Sequence, residues 1–309
     1  MEHMNYAGRM NSFIFKGQNV FDAIAAYRKM NGITHLEFNY PEHIEGYDID
    51  EIRKAMGPLK VNGFAIRWRN LWKNGNFTNP DPELRRQAID VTKEGIDICR
   101  ELGGSVITLW LENDGFDYAF QMDYVPAWNQ IIEAMREVAD YAPDMKLSIE
   151  YKPFEERNFA LMDSAGMTLL MVNAVDRPNV GVTFDFCHML MKRDNPSYGL
   201  ALAASQGKLF GLHMNDGYSQ QDSGLIFGTV HHAQSLEFVY YLRKYNYQGV
   251  VFFDTFPIRE AADQETQANI DSFEKYLAAV DELGVEKIDE VVAKRDGISA
   301  QRLILNMLK

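Results

Sequence analysis

The segment LSIEYKP, residues 147–153, is the most informative part of the chain, because its apolar run stops at an acidic residue, Glu150. Three later apolar runs stop in a similar way: VTFD at Asp185, FGLH at His213 and VFFD at Asp254. A single acidic residue after a strand carries little information, since it often caps the next helix or forms a loop salt bridge. Four such residues in successive units predict one shared ion at the ends of parallel strands.

Short apolar runs alternate with longer segments of helical period, which is the pattern of a parallel β/α protein. Helical spacing is clearest in residues 20–30, 81–102, 125–141, 234–245 and 266–283. Eight strand candidates can be placed: a first run within residues 6–15, then residues 35–39, 62–68, 105–110, 147–151, 180–186, 209–215 and 249–254. We therefore predict an α/β fold, a (β/α)8 TIM barrel with a C-terminal helical extension. An open doubly wound sheet is disfavoured because no glycine-rich phosphate fingerprint follows the early strands.

We predict two regions. Residues 1–284 form the catalytic barrel, and residues 285–309 form a helical tail that packs on the barrel or on a partner subunit. Apolar residues recur along this tail, which is compatible with a homo-oligomer, a dimer or a tetramer.

The composition limits the class of partner. The 309 residues carry a formal net charge of −13, which argues against a nucleic-acid partner because such partners need clustered Lys and Arg. No apolar run is long enough to span a bilayer, and the first residues lack the pattern of a signal peptide. The two cysteines, Cys99 and Cys187, suggest no disulfide framework, so we expect a cytoplasmic protein.

Three carboxylates and one imidazole make a hard, mostly oxygen ligand set. That composition favours one divalent cation, with Mn²⁺ as the first expectation and Mg²⁺, Co²⁺ and Zn²⁺ as alternatives. Clustered carboxylates also repel one another without a cation.

Two residues next to these ligands are further candidates. Lys152 follows Glu150 by two, so both side chains point the same way from an extended strand. Its charge could polarise a carbonyl, or it could pair with Glu155 or Glu156. His188 follows Asp185 by three and could contact substrate or a second metal, or could be a cap or a core histidine.

These residues resemble the xylose-isomerase-like superfamily of sugar isomerases and epimerases over most of the predicted barrel. The EYKP motif at residues 150–153 is similar to the Glu-Pro-Lys-Pro of xylose isomerases and closer to its form in L-rhamnose isomerase. On strand six the family has an acidic ligand followed three residues later by His, as at residues 185–188 here. HMN at residues 213–215 resembles the family's strand-seven motif, and FDTFP at residues 253–257 resembles its strand-eight motif. The resemblance implies that Lys152 contacts the O1 carbonyl of an open-chain sugar and that Trp110 forms an apolar surface against its carbons.

The chain departs from that family in two places. Asn39 stands where xylose isomerases have the His that assists ring opening, and His43 lies four residues later. The loop after strand seven offers Asp216 and Asp222, but at spacings that differ from those of the family's second metal site, so a second ion stays open. We expect His188, Trp110, Asn39 and Asp222 to bind substrate.

The resulting expectation is a metal-dependent aldose–ketose isomerase acting on an unphosphorylated, open-chain monosaccharide, with Glu150, Lys152 and Asp254 as catalytic residues. Hydrogen would move as hydride or through an enediol. The alternative is a ketose 3-epimerase or another keto-sugar or inositol-derivative enzyme of the superfamily, although its epimerase branch has Glu as the strand-eight ligand. An endonuclease would need more His ligands and a basic groove. A phosphorylated substrate is a further alternative, because a phosphate group could be bound by Arg67, Arg69 or Arg157.

Overall fold

The computed structural model describes residues 4–307 and is built around a closed barrel of eight parallel strands. Each strand pairs with the preceding and following strands of the chain, and β1 closes the ring against β8. The strands are β1 (Asn5–Arg9), β2 (Ile33–Tyr40), β3 (Lys60–Ile66), β4 (Val106–Trp110), β5 (Lys146–Glu150), β6 (Val180–Asp185), β7 (Leu209–Met214) and β8 (Val250–Phe253). The predicted TIM barrel is confirmed. Residues 1–3 and 308–309 of the two predicted regions lie outside the described residues.

Eight helices follow the eight strands in turn. They are α1 (Val20–Tyr27), α2 (Ile49–Met56), α3 (Pro82–Glu101), α4 (Tyr124–Tyr141), α5 (Ala165–Val175), α6 (Pro196–Ser205), α7 (His232–Lys244) and α8 (Ala262–Leu283). Local sequence explains many of their starts. Asn19, Asp48, Asp81, Ser164 and Asn195 each accept a backbone N–H from the first turn of the following helix, which satisfies a donor that would otherwise have no partner.

Several shorter elements lie in the loops above the barrel. Helices of four and seven residues form at Asn11–Ile14 and Phe186–Lys192, and a 3-10 turn forms at Asn70–Trp72. Gly115–Phe116 and Phe159–Ala160 form a small antiparallel pair between the loops after β4 and β5.

The first strand lies within the predicted segment except for Asn5, whereas the predicted bounds of the third strand are wrong. The first strand stops at Arg9, because the backbone turns at Met10, whose carbonyl accepts the N–H groups of Phe13 and Ile14. The third strand covers residues 60–66 instead of 62–68. Trp68 looked like strand because it is apolar, but it is a buried loop residue whose indole N–H donates to the Ala88 carbonyl of α3, 3.1 Å away.

The strands approach closely where a side chain is missing. A Cβ added to Gly63 of β3 would lie 2.1 Å from the carbonyl oxygen of Val106 on β4. Glycine is therefore required there by packing against the neighbouring backbone.

The predicted C-terminal helical extension is present as α9 (Val285–Lys294) and α10 (Gly297–Met307). Both contact α8, and Ile288 of α9 is buried. Within residues 4–307, no helix combines the length and apolar character needed to cross a membrane.

Candidate metal centre

Four side chains meet at the carboxyl end of the barrel. Glu150 and Asp185 are the last residues of β5 and β6, His213 is the penultimate residue of β7, and Asp254 directly follows β8. One potential ligand atom from each lies within 4.8 Å of the other three. Atoms bound about 2.2 Å from a common ion lie at most about 4.4 Å apart, so a contraction of a few tenths of an ångström would let all four share one ion.

Strand register explains this convergence. The β6–β7 pairing sets Asp185 beside His213, and the β4–β5 pairing sets Trp110 beside Glu150. Because the strands are parallel and staggered around a closed ring, their last inward-facing residues converge on the barrel axis.

Glu150 and His213 are in direct contact. Nδ1 of the imidazole lies 3.0 Å from Oε1 of the carboxylate. Burial alone would raise the pKa of Glu150, but His213 and His188 outweigh it and lower the pKa to about 2. Burial would likewise lower the pKa of His213, yet Glu150 and Glu37 hold it well above its usual value. A cation bound here would therefore have to displace a proton from His213.

Asp185 is held by the helix that follows it. Its Oδ1 accepts the backbone N–H of His188 at 2.9 Å, and its Oδ2 accepts the Asn215 amide at 2.8 Å. Burial raises the pKa of Asp185 to about 7, and neighbouring carboxylates add to the effect although His188 opposes it. The raised pKa means that ionising Asp185 is unfavourable here, and a bound cation would offset that unfavourable energy.

Asp254 has one oxygen already engaged. Arg9, the last residue of β1, donates its Nε–H to Oδ1 at 2.6 Å. The same guanidinium lies 4.6 Å above the Phe256 ring. Oδ2 of Asp254 is the oxygen that Arg9 does not engage.

The donor set fits a hard divalent cation. It combines three carboxylates with one imidazole, all four groups are largely removed from solvent, and one of the acids is costly to ionise without a counter-charge. It is the one group of this kind in the described part of the chain.

A cleft of about 260 Å³ opens above the cluster. Its lining includes seven residues singled out from the sequence: Asn39, Trp110, Glu150, Lys152, His188, Asp222 and Asp254. Asp185 and His213 are buried and do not line the cleft.

Lys152 projects into this cleft as a charged group. Its Nζ lies 3.0 Å from Oδ2 of Asp222, 2.9 Å from Oε2 of Glu155 and 4.9 Å above the Trp110 ring. Burial alone would lower its pKa, but Asp222 and Glu155 raise the pKa well above its usual value. The ion pair with Glu155 foreseen from the sequence is thus present, and the ammonium still faces the cleft.

His188 is fixed by two acceptors. Its Nδ1 lies 3.0 Å from the Tyr151 carbonyl and its Nε2 lies 3.2 Å from Oδ2 of Asp222. Although burial opposes it, Asp185 and Asp222 raise the pKa of His188 to about 9. The other oxygen of Asp222, Oδ1, is buried without a hydrogen-bond partner among residues 4–307.

Two candidates from the sequence turn away from the cleft. His43 is buried, with Nδ1 on the backbone N–H of Asn39 and Nε2 on Asn11, and burial lowers its pKa to about 4. Asp216 is fully buried and accepts the backbone N–H groups of Val230 and His231. Asp216 therefore organises the loop before α7 and does not join the cluster.

Glu37 and Arg9 were not predicted from the sequence, and Arg67 was predicted only as one candidate for phosphate binding. Arg67 lines the cleft with its guanidinium 5.5 Å above the Trp110 ring. Its Nε is buried and has no hydrogen-bond partner in residues 4–307. Arg9 ends β1 much as the four clustered residues end or follow their strands, and a defined strand end within residues 6–15 would have identified it.

Comparisons with known proteins agree with this architecture. A family model described as a xylose isomerase-like TIM barrel matches residues 21–286. A xylose isomerase from Thermus thermophilus is 30% identical over 194 residues, which cover 61% of this chain and 50% of that protein. The chain thus spans about half the length of the curated relatives it matches.

Solved structures share the fold at low identity. An L-ribulose 3-epimerase superposes with a TM-score of 0.74 at 17% identity, covering 94% of this chain and 98% of that one. A D-psicose 3-epimerase from Clostridium cellulolyticum H10, solved with D-tagatose, gives a TM-score of 0.68 at 19% identity over 89% of this chain and 99% of that one.

Proposed function

The chain belongs to the xylose isomerase-like TIM-barrel family, and on that premise we propose that it is a divalent-metal-dependent aldose–ketose isomerase of open-chain monosaccharides. The observation that carries the proposal is the pairing of a four-ligand cluster, within 4.8 Å, with the charged Lys152 in one cleft. A pure binding protein would need neither a hard metal centre nor a buried ammonium beside it.

The ligand groups are Glu150, Asp185, His213 and Asp254. A divalent ion held there, Mn²⁺ by preference, would supply Lewis acidity toward two adjacent oxygens of a linear sugar. Curated relatives that the chain matches include xylose isomerases, which supports this chemistry.

Lys152 acts on the carbonyl end of the sugar. Its ammonium donates to O1 and stabilises the negative charge that develops there as the carbonyl is converted to an alcohol. Hydrogen moves between C1 and C2 and a proton moves between O1 and O2, so aldose and ketose remain isomers. Asp222 and Glu155 keep the ammonium charged throughout.

The remaining cleft residues bind the sugar. The Trp110 ring offers an apolar surface to the carbon chain, and Arg67, whose buried Nε lacks a partner within residues 4–307, donates to hydroxyl oxygens. Oδ1 of Asp222 accepts from a sugar hydroxyl, and Asn39 and His188 complete the rim of polar contacts.

A ketose 3-epimerase is the alternative, supported by structural neighbours of that activity and by two carboxylates, Glu150 and Asp254, in the cleft. Exchange of the C3 proton from opposite faces needs both carboxylates free to take up a proton. One oxygen of Asp254 is engaged by Arg9, 2.6 Å away, and the other is needed as a ligand. This engagement favours isomerisation.

The test is a screen of aldoses and ketoses with Mn²⁺ in D₂O. Metal-dependent aldose–ketose interconversion supports the proposal, and absence of deuterium from the product indicates hydride transfer while deuterium at C1 or C2 indicates an enediol. Deuterium at C3 of a recovered ketose, without aldose formation, would make the protein an epimerase instead.

Partners and location follow from the same proposal. We infer a small sugar as the partner, no nucleic acid at a net charge of −13, a cytoplasmic homo-oligomer and one ion per chain. We propose no second ion, because Asp216 already accepts the backbone N–H groups of Val230 and His231 in its own loop.

A further inference from the structure

Glu37 is an unexpected buried acid inside the barrel. It lies on β2, flanked by the apolar Leu36 and Phe38, and only 5% of its surface is exposed. It does not line the cleft above the metal cluster, so it is not placed to touch substrate. Burying a carboxylate costs several kcal/mol unless it is paired, and its few contacts must account for its presence.

Two contacts are available to it. Oε2 accepts the amide of Asn62 on β3 at 2.8 Å. Oε1 lies 3.2 Å from Nε2 of His213, which projects from β7 on another side of the barrel. Oε1 accepts no hydrogen bond within residues 4–307, so its contact with Nε2 is a charge contact at 3.2 Å.

The two ring nitrogens of His213 therefore face different carboxylates. Nδ1 is 3.0 Å from Glu150, a member of the ligand cluster, and Nε2 is 3.2 Å from Glu37, which is outside it. The Phe252 ring, 4.7 Å away between centroids, packs against the imidazole and restricts its tilt. A neutral imidazole carries one N–H, and a metal ligand needs the other nitrogen bare.

We propose that Glu37 is a positioning residue for the metal centre, receiving the Nε2–H of His213 so that Nδ1 presents its lone pair to the ion. The inference rests on the proposed metal site and deepens it. Carboxylates that hold a ligating histidine in this way fix its tautomer and orientation and increase its strength as a ligand.

Asn62 is the third member of the chain. By donating to Oε2 it leaves Oε1 free for His213 and limits rotation of the carboxylate. The order Asn62–Glu37–His213 thus links β3, β2 and β7 across the barrel interior, below the cluster of ligands.

The test compares three variants by direct titration of Mn²⁺ against a competing chelator, without any sugar. Glu37→Leu keeps the volume and removes the acceptor, and we expect Mn²⁺ affinity to fall about 10–100-fold. Glu37→Gln keeps an oxygen that can accept the Nε2–H, and we expect it to recover a clear part of that loss. Ser148→Ala is the matched control, because Ser148 is fully buried in the barrel and, within residues 4–307, its hydroxyl bonds only Thr183. We expect the Mn²⁺ affinity of this variant to equal that of the wild type.

A spectroscopic signal separates positioning from general loosening of the fold. In the metal-loaded wild type, using diamagnetic Zn²⁺, the Nε2–H of His213 should give a low-field proton resonance that is absent in His213→Asn and shifts upfield in Glu37→Gln. Equal Mn²⁺ affinity in the wild type and Glu37→Leu would overturn the role of Glu37 alone. A wild type that binds no Mn²⁺ would overturn the metal centre and this inference together.

Discussion

Replacing Lys152 with methionine removes one positive charge from the cleft and keeps most of the side-chain volume. The loss in folding stability then depends on what happens to the two acids that Lys152 pairs with. Asp222 loses the ammonium 3.0 Å from Oδ2 but keeps His188 at 3.2 Å, and Glu155 is partly exposed to water. Removing one partner of a buried ion pair costs about 3–5 kcal/mol, and because Asp222 keeps one cation we expect ~2–3 kcal/mol by the same principle. Folded proteins are stable by about 5–15 kcal/mol, so the variant should still fold.

Activity should fall much further than stability. Loss of a group that stabilises developing charge typically costs about 10²–10³ in kcat, and we expect that range for Lys152→Met with KM little changed. The assay is steady-state isomerisation with Mn²⁺, together with chemical denaturation of the same preparations. The double variant Lys152→Met/Asp222→Asn removes the uncompensated acid and should regain stability without regaining kcat. Wild-type turnover in Lys152→Met, or recovery of turnover in the double variant, would refute the assigned role.

The pH dependence of that stability loss has a definite sign. Although burial opposes both shifts, His188 and Lys152 lower the pKa of Asp222, while Asp222 and Glu155 raise the pKa of Lys152. The pair therefore contributes fully above the unfolded Asp pKa of about 3.9 and below the unfolded Lys pKa of about 10.4. Its contribution is lost only as pH falls through the folded pKa of Asp222 or rises through that of Lys152. The cost of the substitution should be the same between about pH 5 and pH 8, and a steep change there would contradict the ion pair.

Three further predictions concern the ion, the barrel and the substrate. Because the pKa of His213 is raised and that of Asp185 is about 7, binding of Mn²⁺ at pH 7 should release about one to two protons; calorimetry in buffers of different ionisation enthalpy measures this, and zero release would contradict the ligand set. Gly63→Ala should destabilise the fold by about 1–3 kcal/mol, since its Cβ would lie 2.1 Å from a carbonyl oxygen of β4. The control Gly166→Ala should leave stability unchanged, because a Cβ there meets nothing within 4 Å. Equal denaturation midpoints for the two variants would refute the close approach. Arg67→Met should raise KM about 10–150-fold, since a hydrogen bond from a charged group contributes about 1.5–3 kcal/mol. An unchanged KM would remove Arg67 from substrate binding.

The barrel and the clustering of four candidate ligand side chains were predictable because both follow from local pattern. In a parallel barrel every strand ends on the same face, so a residue that terminates an apolar run also occupies the catalytic rim. This reasoning needs no knowledge of which strands are neighbours. The ends of β5, β6, β7 and β8 could be located in this way, and Arg9 could have been located had the end of the first strand been placed within residues 6–15.

Contacts across the barrel were not predictable in this way. Glu37 reaches His213 from a strand that is distant in sequence, and the alternation of polar residues in β2 gives no hint of its partner. The ion pair of Lys152 with Asp222 likewise depends on the path of a long loop after β7. Trp68 was assigned to a strand because apolar character alone does not distinguish a strand end from a loop residue packed on a helix.

The most direct test of the metal centre is anomalous diffraction at the manganese edge from crystals of the wild-type protein grown with Mn²⁺. We predict one anomalous peak per chain at the end of the barrel, within about 2.0–2.6 Å of ligand atoms from Glu150, Asp185, His213 and Asp254. A peak bound by other residues, or no peak at this cluster, would contradict the assignment.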